Sequence, residues 1–358
     1  MTRARFPFGP QHPVFPEALQ LQLVTEDERV VEVVPVLGYM HRGIEKAAER
    51  RPYTDNVFLC ERICGICSFM HGLAYCQAIE AAMKIKVPPR AEYLRVFWSE
   101  LSRLHNHVMW AGLLADALGF ESLFMECWRT REVILDILEM TTGQRVIQSA
   151  CIIGGVRRNL DREMAGTVRK LLDDFWRRWK RIAPVFTRDY TVKSRTVEKG
   201  ILPPAQARAL GVVGPTARGS GVPYDARLTG YAAYKELGFT PVTEKGCDCY
   251  ARMLVRIREV AQSFELVHRV LDRLPEGNVA VKVKGLPEGE GMTRVEQHRG
   301  EVFYFVRGNG TPYLERLKVR TPTYANIPAL FVMLPGSELP DVGPITLSID
   351  PCIACTER

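Results

Sequence analysis

The sequence predicts a mainly helical α+β fold, with a bundle of long helices at the core and small antiparallel β-sheets at its periphery. Three observations carry that reading. Apolar residues recur at three- and four-residue intervals over long stretches of the first half. Alternation of apolar and polar residues, the mark of strands, starts at Leu19 and again after Pro275. Two CxxC pairs, Cys64–Cys67 and Cys352–Cys355, are separated by 285 positions counted from Cys67 to Cys352. A chain terminus is normally the frayed part of a domain, so the two pairs can meet only in a fold that carries its C-terminus into its centre.

Taken in order, residues 1–14 are Pro-rich and turn-forming (Phe6-Pro7-Phe8-Gly9-Pro10-Gln11-His12-Pro13). LQLQLV from Leu19, a polar TEDE and VVEVVPV read as an antiparallel hairpin. A Gly38–Gly43 turn leads into a short helix from Ile44. Residues 55–84 read as helical, interrupted by the first cysteine pair; Pro88-Pro89 starts the next helix, which Gly119 ends. Further helices are expected over 124–140, 161–185 and 249–274, with a tight link at Ile153–Val156. Residues 200–231 are Gly/Pro-rich and irregular, a length usually functional or disordered. VAVKVKG and GEVFYFVRG read as strands of a small sheet, and residues 322–334 return to a helical or mixed pattern. The chain divides into a loop and hairpin over 1–48, a helical bundle with the first CxxC over 49–275, and a small β region with the second CxxC over 276–358.

The 358 residues are 46% hydrophobic and 25% charged, ordinary soluble composition. No run is long enough for a transmembrane helix, and the N-terminus lacks the apolar core of a signal peptide, so a cytoplasmic chain is expected, peripheral to any membrane partner. The net charge of +7 is concentrated in Arg157-Arg158, Arg169-Lys170 and Arg177–Arg181. That clustering reads as a solvated helix face or as a docking face for an acidic partner; no nucleic-acid motif accompanies it. Ten cysteines without an export signal argue against a disulfide scaffold. Six of them lack a CxxC partner and read as small buried side chains.

Taken alone, the two CxxC pairs allow three readings: a structural four-thiolate zinc site, a pair of redox dithiols, or a catalytic metal site. Zinc ribbons place their pairs roughly 15–20 residues apart, and here the first pair is embedded in a long apolar helical region. Soft thiolates also suit nickel and iron.

The flanking residues add a resemblance. Arg62-Ile63-Cys64-Gly65-Ile66-Cys67-Ser68-Phe69-Met70-His71 together with Asp350-Pro351-Cys352-Ile353-Ala354-Cys355-Thr356-Glu357-Arg358 resembles the motif pair of the [NiFe]-hydrogenase large subunit. Gly9–Pro13, Leu37–Lys46, Gly154–Arg158 and Gly214–Gly221 resemble its group 4, energy-converting branch (Ech and CO-induced types), related to the quinone-site subunit of respiratory complex I. The resemblance runs over the whole chain.

It implies a catalytic large subunit that interconverts two protons, two electrons and H2 by heterolytic cleavage at a Ni–Fe(CN)2(CO) centre. Cys64, Cys67, Cys352 and Cys355 would hold nickel, with Cys67 and Cys355 shared with iron. Arg299, in Glu296-Gln297-His298-Arg299-Gly300 where the family has a strand-borne Glu-Ala-Pro-Arg-Gly, would sit above the metals and pair with Asp350. Glu17 would relay protons, Thr323 would donate to a cyanide, and His71 would bond a bridging thiolate. Asn106 falls where other branches have aspartate. His12 and Arg157-Arg158 would face the cavity that holds quinone in complex I. A further magnesium or iron ion near the C-terminus, with Glu45 as candidate ligand, is also expected.

No further iron–sulfur spacing is present, so the resemblance implies a small subunit with a [4Fe–4S] cluster, a ferredoxin-like iron–sulfur subunit, integral membrane subunits, and ferredoxin or a similar donor. The chain would sit in the peripheral arm on the cytoplasmic side of the membrane. Many family members carry a C-terminal extension that is cleaved after nickel insertion; ending at Arg358 fits a processed chain or one in which no extension was encoded. Two rival readings remain: a complex I-type redox subunit shaping a quinone or sulfur-substrate cavity without nickel, and a structural zinc scaffold.

Overall fold

The computed structural model describes residues 3–358. It shows a helix bundle whose central member, α4 (Pro89–Ala117), is buried along almost its whole length. Pro at its first turn supplies the fixed φ that a helix start tolerates. Against it pack α3 (Ser68–Met83), α5 (Glu121–Thr142) and α10 (Cys249–Arg273), and α6 (Arg162–Arg188) packs on α5 and α10. Short helices fill the connections: α1 (Ile44–Ala48), α2 (Asn56–Glu61), α7 (Tyr190–Thr196), α8 (Pro204–Ala209) and α9 (Gly214–Arg218). Near the C-terminus come α11 (Pro322–Asn326), α12 (Leu330–Met333), α13 (Val342–Leu347) and α14 (Ile353–Thr356). No helix among the described residues is long and apolar enough to cross a membrane.

Three antiparallel sheets sit at the edges: β1 (Arg3–Phe8), β2 (Gln20–Glu26) and β3 (Arg29–Val36); β4 (Cys151–Ile152) with β5 (Gly155–Val156); and β6 (Glu288–Gln297), β7 (Gly300–Asn309) and β8 (Leu314–Arg320). The expected hairpin is β2–β3. The arm expected to be turn-forming instead pairs as β1 over residues 3–8, with Pro7 opposite Gln22 at a sheet edge, where a missing N–H is tolerated; residues 1–2 lie outside the described residues.

The strand expected at VAVKVKG does not form. Those residues make a single bridge, Ala280 to Gly155, because Val281 and Val283 close over Gly154 instead of entering a ladder. GEVFYFVRG pairs on one side with the polar, glycine-containing stretch 288–297 and on the other with 314–320. Gly291 of β6 lies against α3 so closely that a Cβ there would stand 2.0 Å from the Ala78 carbonyl oxygen.

The irregular stretch 200–231 is fastened by buried charges. Arg218 bonds Glu259 of α10 at 2.7 Å and Glu296 of β6 at 2.8 Å. Arg227 bonds Asp225 at 2.8 Å and reaches Glu100 of α4 at 3.3 Å. All six are fully buried, so each charge is tolerable only because it is paired. The network ties the loop to the central helix, to α10 and to β6, whose tip reaches the cysteine pairs.

Candidate metal centre

Cys64 and Cys67 lie between α2 and α3, with Cys67 at the N-terminal cap of α3. Cys352 and Cys355 flank the start of α14, where the Cys352 sulfur accepts a hydrogen bond from the Cys355 N–H at 3.4 Å. The chain enters this turn through Asp350, whose φ of 53° is left-handed, a conformation that short Asp side chains tolerate better than most. The tail is held inward by the 38–42 turn. Glu357 accepts from the Gly38 N–H at 2.6 Å and from the Met40 N–H. Arg42 donates to the carbonyls of Ile63 (2.6 Å), Arg62 (3.0 Å) and Ala354 (3.1 Å), joining the two cysteine segments.

All four cysteines are buried, with their sulfurs within 4.8 Å of one another. Cys67 and Cys355 stand at 3.0 Å, Cys64 and Cys352 at 3.3 Å. Metal–thiolate bonds of about 2.3 Å put the sulfurs of a tetrahedral site roughly 3.8 Å apart, so the donor set fits a soft metal centre held by four thiolates. The Cys64 thiol is held well below its usual range by hydrogen bonds from Cys352, Cys355 and Cys67. Burial pushes the Cys67 and Cys355 thiols up. Four thiolates this close repel one another, so positive charge from a bound metal favours the fully ionised set. Among the described residues it is the one cluster of His, Cys, Asp or Glu with such spacing.

Arg299 and His298 form the two-residue turn between β6 and β7, since Gln297 pairs with Gly300. Arg299 is thus carried at a hairpin tip, not within a strand as expected. Its Nε donates to the Asp350 carbonyl at 2.8 Å and its Nη2 meets the Asp350 carboxylate at 3.0 Å. Nη1 lies 2.6 Å from His298 Nε2. Gly300 and Gly214 make the seat possible: a Cβ on Gly214 would stand 2.3 Å from the Arg299 carbonyl oxygen. Asn106 of α4 donates to the second Asp350 oxygen at 2.9 Å.

Glu17, half-buried, accepts from the Ala354 N–H at 2.8 Å. Burial and then the nearby Cys64 sulfur raise its carboxyl above the usual range, partly offset by that N–H. Thr323, at the start of α11, accepts from the Cys352 N–H at 3.1 Å, which leaves its hydroxyl proton free to be donated. His71 Nε2 lies 3.3 Å from the Cys355 sulfur and 3.2 Å from Gln297 Nε2, and Nδ1 lies 2.8 Å from the Tyr304 hydroxyl. Burial pushes the His71 pKa down to about 4, so the ring is neutral near pH 7. Buried polar atoms without a protein partner gather here too: Asn106 Oδ1, Gln297 Oε1 and His298 Nδ1.

Not every expected residue joins this cluster. His12 stacks on the Phe8 ring with centroids 4.0 Å apart, and Arg157 lies over the Phe58 ring at 5.1 Å. Glu45 accepts from Lys318 at 3.1 Å, Arg358 at 3.2 Å and the Val319 N–H at 3.0 Å. These partners already occupy Glu45, and the four cysteines, not Glu45, form the ligand cluster among the described residues. Sequence reading missed Tyr304 and, though it quoted Arg42 and Gln297 within motifs, gave neither a role. Tyr304 was discoverable: it alternates with buried Val302 and Val306, and a phenol on such a face needs a polar partner.

Residues 42–117 match the nickel-dependent hydrogenase family. Residues 117–286 and 281–358 match the respiratory-chain NADH dehydrogenase 49 Kd subunit. The chain is 38% identical to the carbon monoxide-induced hydrogenase of Rhodospirillum rubrum over the full length of both. It is 37% identical to the membrane-bound hydrogenase subunit alpha of Pyrococcus furiosus, over 99% of this chain and 87% of that one. Identity to NADH-quinone oxidoreductase subunit 4 of Thermus thermophilus is 35%, over 98% and 93%. A chain of the membrane-bound sulfane sulfur reductase, an archaeal respiratory membrane complex, superposes with a TM-score of 0.95 at 30% identity, covering 99% of this chain and 98% of that one. Whole-length matches on both sides, together with the shared fold, make this chain a member of the oxidoreductase family that unites energy-converting [NiFe]-hydrogenase large subunits with the 49 Kd subunit of complex I.

Proposed function

We propose that the chain is the catalytic large subunit of an energy-converting [NiFe]-hydrogenase, interconverting 2H+ + 2e− and H2. The observation that carries this reading is the complete set of four buried, converging cysteines. Cys64, Cys67, Cys352 and Cys355 would hold a nickel–iron centre with cyanide and carbon monoxide on iron. When bound, that centre supplies the splitting and formation of H2. The chain's own residues do the rest. Arg299, fixed by Asp350, presents permanent positive charge to the thiolates. His71 hydrogen-bonds the Cys355 sulfur through Nε2 and is oriented by Tyr304 at its other ring nitrogen. Thr323 offers its hydroxyl proton beside Cys352. Glu17, with one oxygen bound to the Ala354 N–H, takes a proton on the other and passes it outward.

Electrons would arrive through a small subunit with a [4Fe–4S] cluster and a ferredoxin-like subunit, and integral membrane subunits would anchor the chain at the cytoplasmic face. The names of the relatives support assembly in membrane complexes. A second reading, a redox subunit shaping a quinone or sulfur-substrate cavity, draws on the likeness to NADH-quinone oxidoreductase and the sulfane sulfur reductase. Isotope exchange separates the two. The complex incubated with D2 in ordinary water should release HD and H2; nickel-loaded complex that releases neither contradicts the hydrogenase assignment.

A further inference from the structure

Residues 157–199 hold thirteen Lys and Arg against six Asp and Glu, a surplus of seven that equals the net charge of the whole chain. Nearly all of this segment is α6, α7 and their flanks. At 3.6 residues per turn, Lys170, Arg177, Arg181 and Arg188 of α6 fall within about 20° of a single line running roughly 27 Å along the helix. All four are exposed. Arg177 is shared with Asp174 at 3.4 Å, while Lys170, Arg181 and Arg188 have no ion-pair partner among the described residues. One flank of the line opens into a cleft between α6 and α10, with Trp176, Pro184 and Ile257 in its wall and Lys180 and Arg188 at its rim. Stacking of Trp176 on Phe264, centroids 4.7 Å apart, fixes that wall.

We propose that this ridge docks another protein of the same assembly, one presenting carboxylates along about 27 Å beside an apolar side chain that enters the cleft. Long cations in line, three of the four without an ion-pair partner among the described residues, give complementarity and orientation more than affinity, and the rigid apolar cleft supplies the anchor. A lipid surface fits less well. Glu163, Asp173 and Asp174 intersperse the cations, and no large apolar side chain on α6 is exposed for insertion. The inference is independent of the metal chemistry, and the ridge shares no residue with the cysteine cluster.

The test uses the detergent-solubilised complex purified through a tag on this chain. A zero-length carbodiimide joins a lysine amine to a carboxylate only when the two are in salt-bridge contact. Lys170 or Lys180 should form an amide to an Asp or Glu of another subunit, lost in Lys170→Gln and Lys180→Gln. The double variant Arg181→Glu, Arg188→Glu should release that subunit at lower salt while nickel content and thermal midpoint stay unchanged. An intact complex giving no intersubunit link at either lysine overturns the proposal. So does retention of the subunit by the double variant at unchanged salt, or stripe-dependent sedimentation of the chain with phosphatidylglycerol vesicles.

Discussion

Cys67 and Cys355 lie 288 positions apart in the chain and 3.0 Å apart at their sulfurs. Thiols must lose their protons to ligate a metal, so binding at four sulfurs this close exchanges protons for metal. Cys355→Ser removes a soft ligand while keeping nearly the same shape. Nickel retained after gel filtration should fall to background, measured by elemental analysis, with the fold intact by circular dichroism.

Glu17 Oε2 accepts from the Ala354 N–H of the tail. Glu17→Gln keeps that acceptor and loses the titratable proton. Nickel content and thermal midpoint should be unchanged while D2/water exchange slows by about 10²-fold or more, the range expected for loss of a general acid–base group.

The Arg299–Asp350 pair is buried on both sides. Arg299→Leu strands the Asp350 charge, and breaking one partner of such a pair costs about 3–5 kcal/mol. Asp350→Asn should cost less, because the backbone carbonyl at 350 still accepts from Nε. Urea midpoints of the two variants should rank in that order.

His105 and His107 are held neutral, burial pushing their pKa values down to about 3 and about 4; His71 behaves alike and His298 is lowered too. For each ring the unfolded chain binds the proton more tightly, near pH 6.5. Stability from these rings is therefore full above about pH 6.5 and falls as pH drops below it, toward 4 for His71 and His107 and toward 3 for His105. Glu61 and Glu296, raised by burial to about 7, act in the opposite sense between about pH 4.5 and 7. Six lowered rings, counting His12 and His268, act together with the lowered Glu49, Glu100, Asp225 and Glu259 against four raised carboxyls, counting Glu17 and Glu92, so acidification brings a net loss of stability. Denaturation midpoints across that window check the sign, and His107→Gln should flatten the slope.

The helices were legible because their apolar spacing is set by what they bury: Leu94, Phe97, Trp98, Leu101 and Leu104 all face the core of α4. The cysteine segments were legible because thiols at CxxC spacing have few uses. The strands were read less well. VAVKVKG alternates like a strand but spends its valines covering Gly154, and the polar stretch 288–297 is made a strand by its partner Gly300–Asn309. Neither contact is local. The charge network was hidden for the same reason, since Glu100, Arg218, Glu259 and Glu296 meet only after folding. The Arg299 motif was readable, but its place at a hairpin tip follows from pairing that its own residues do not encode.

The most direct measurement is infrared spectroscopy with metal analysis on the purified chain. Nickel and iron at about one each per chain, with the cyanide and carbon monoxide stretching bands of a thiolate-held iron, are expected from the four-cysteine cluster. Zinc alone at about one per chain, without those bands, would contradict it and identify a structural site instead.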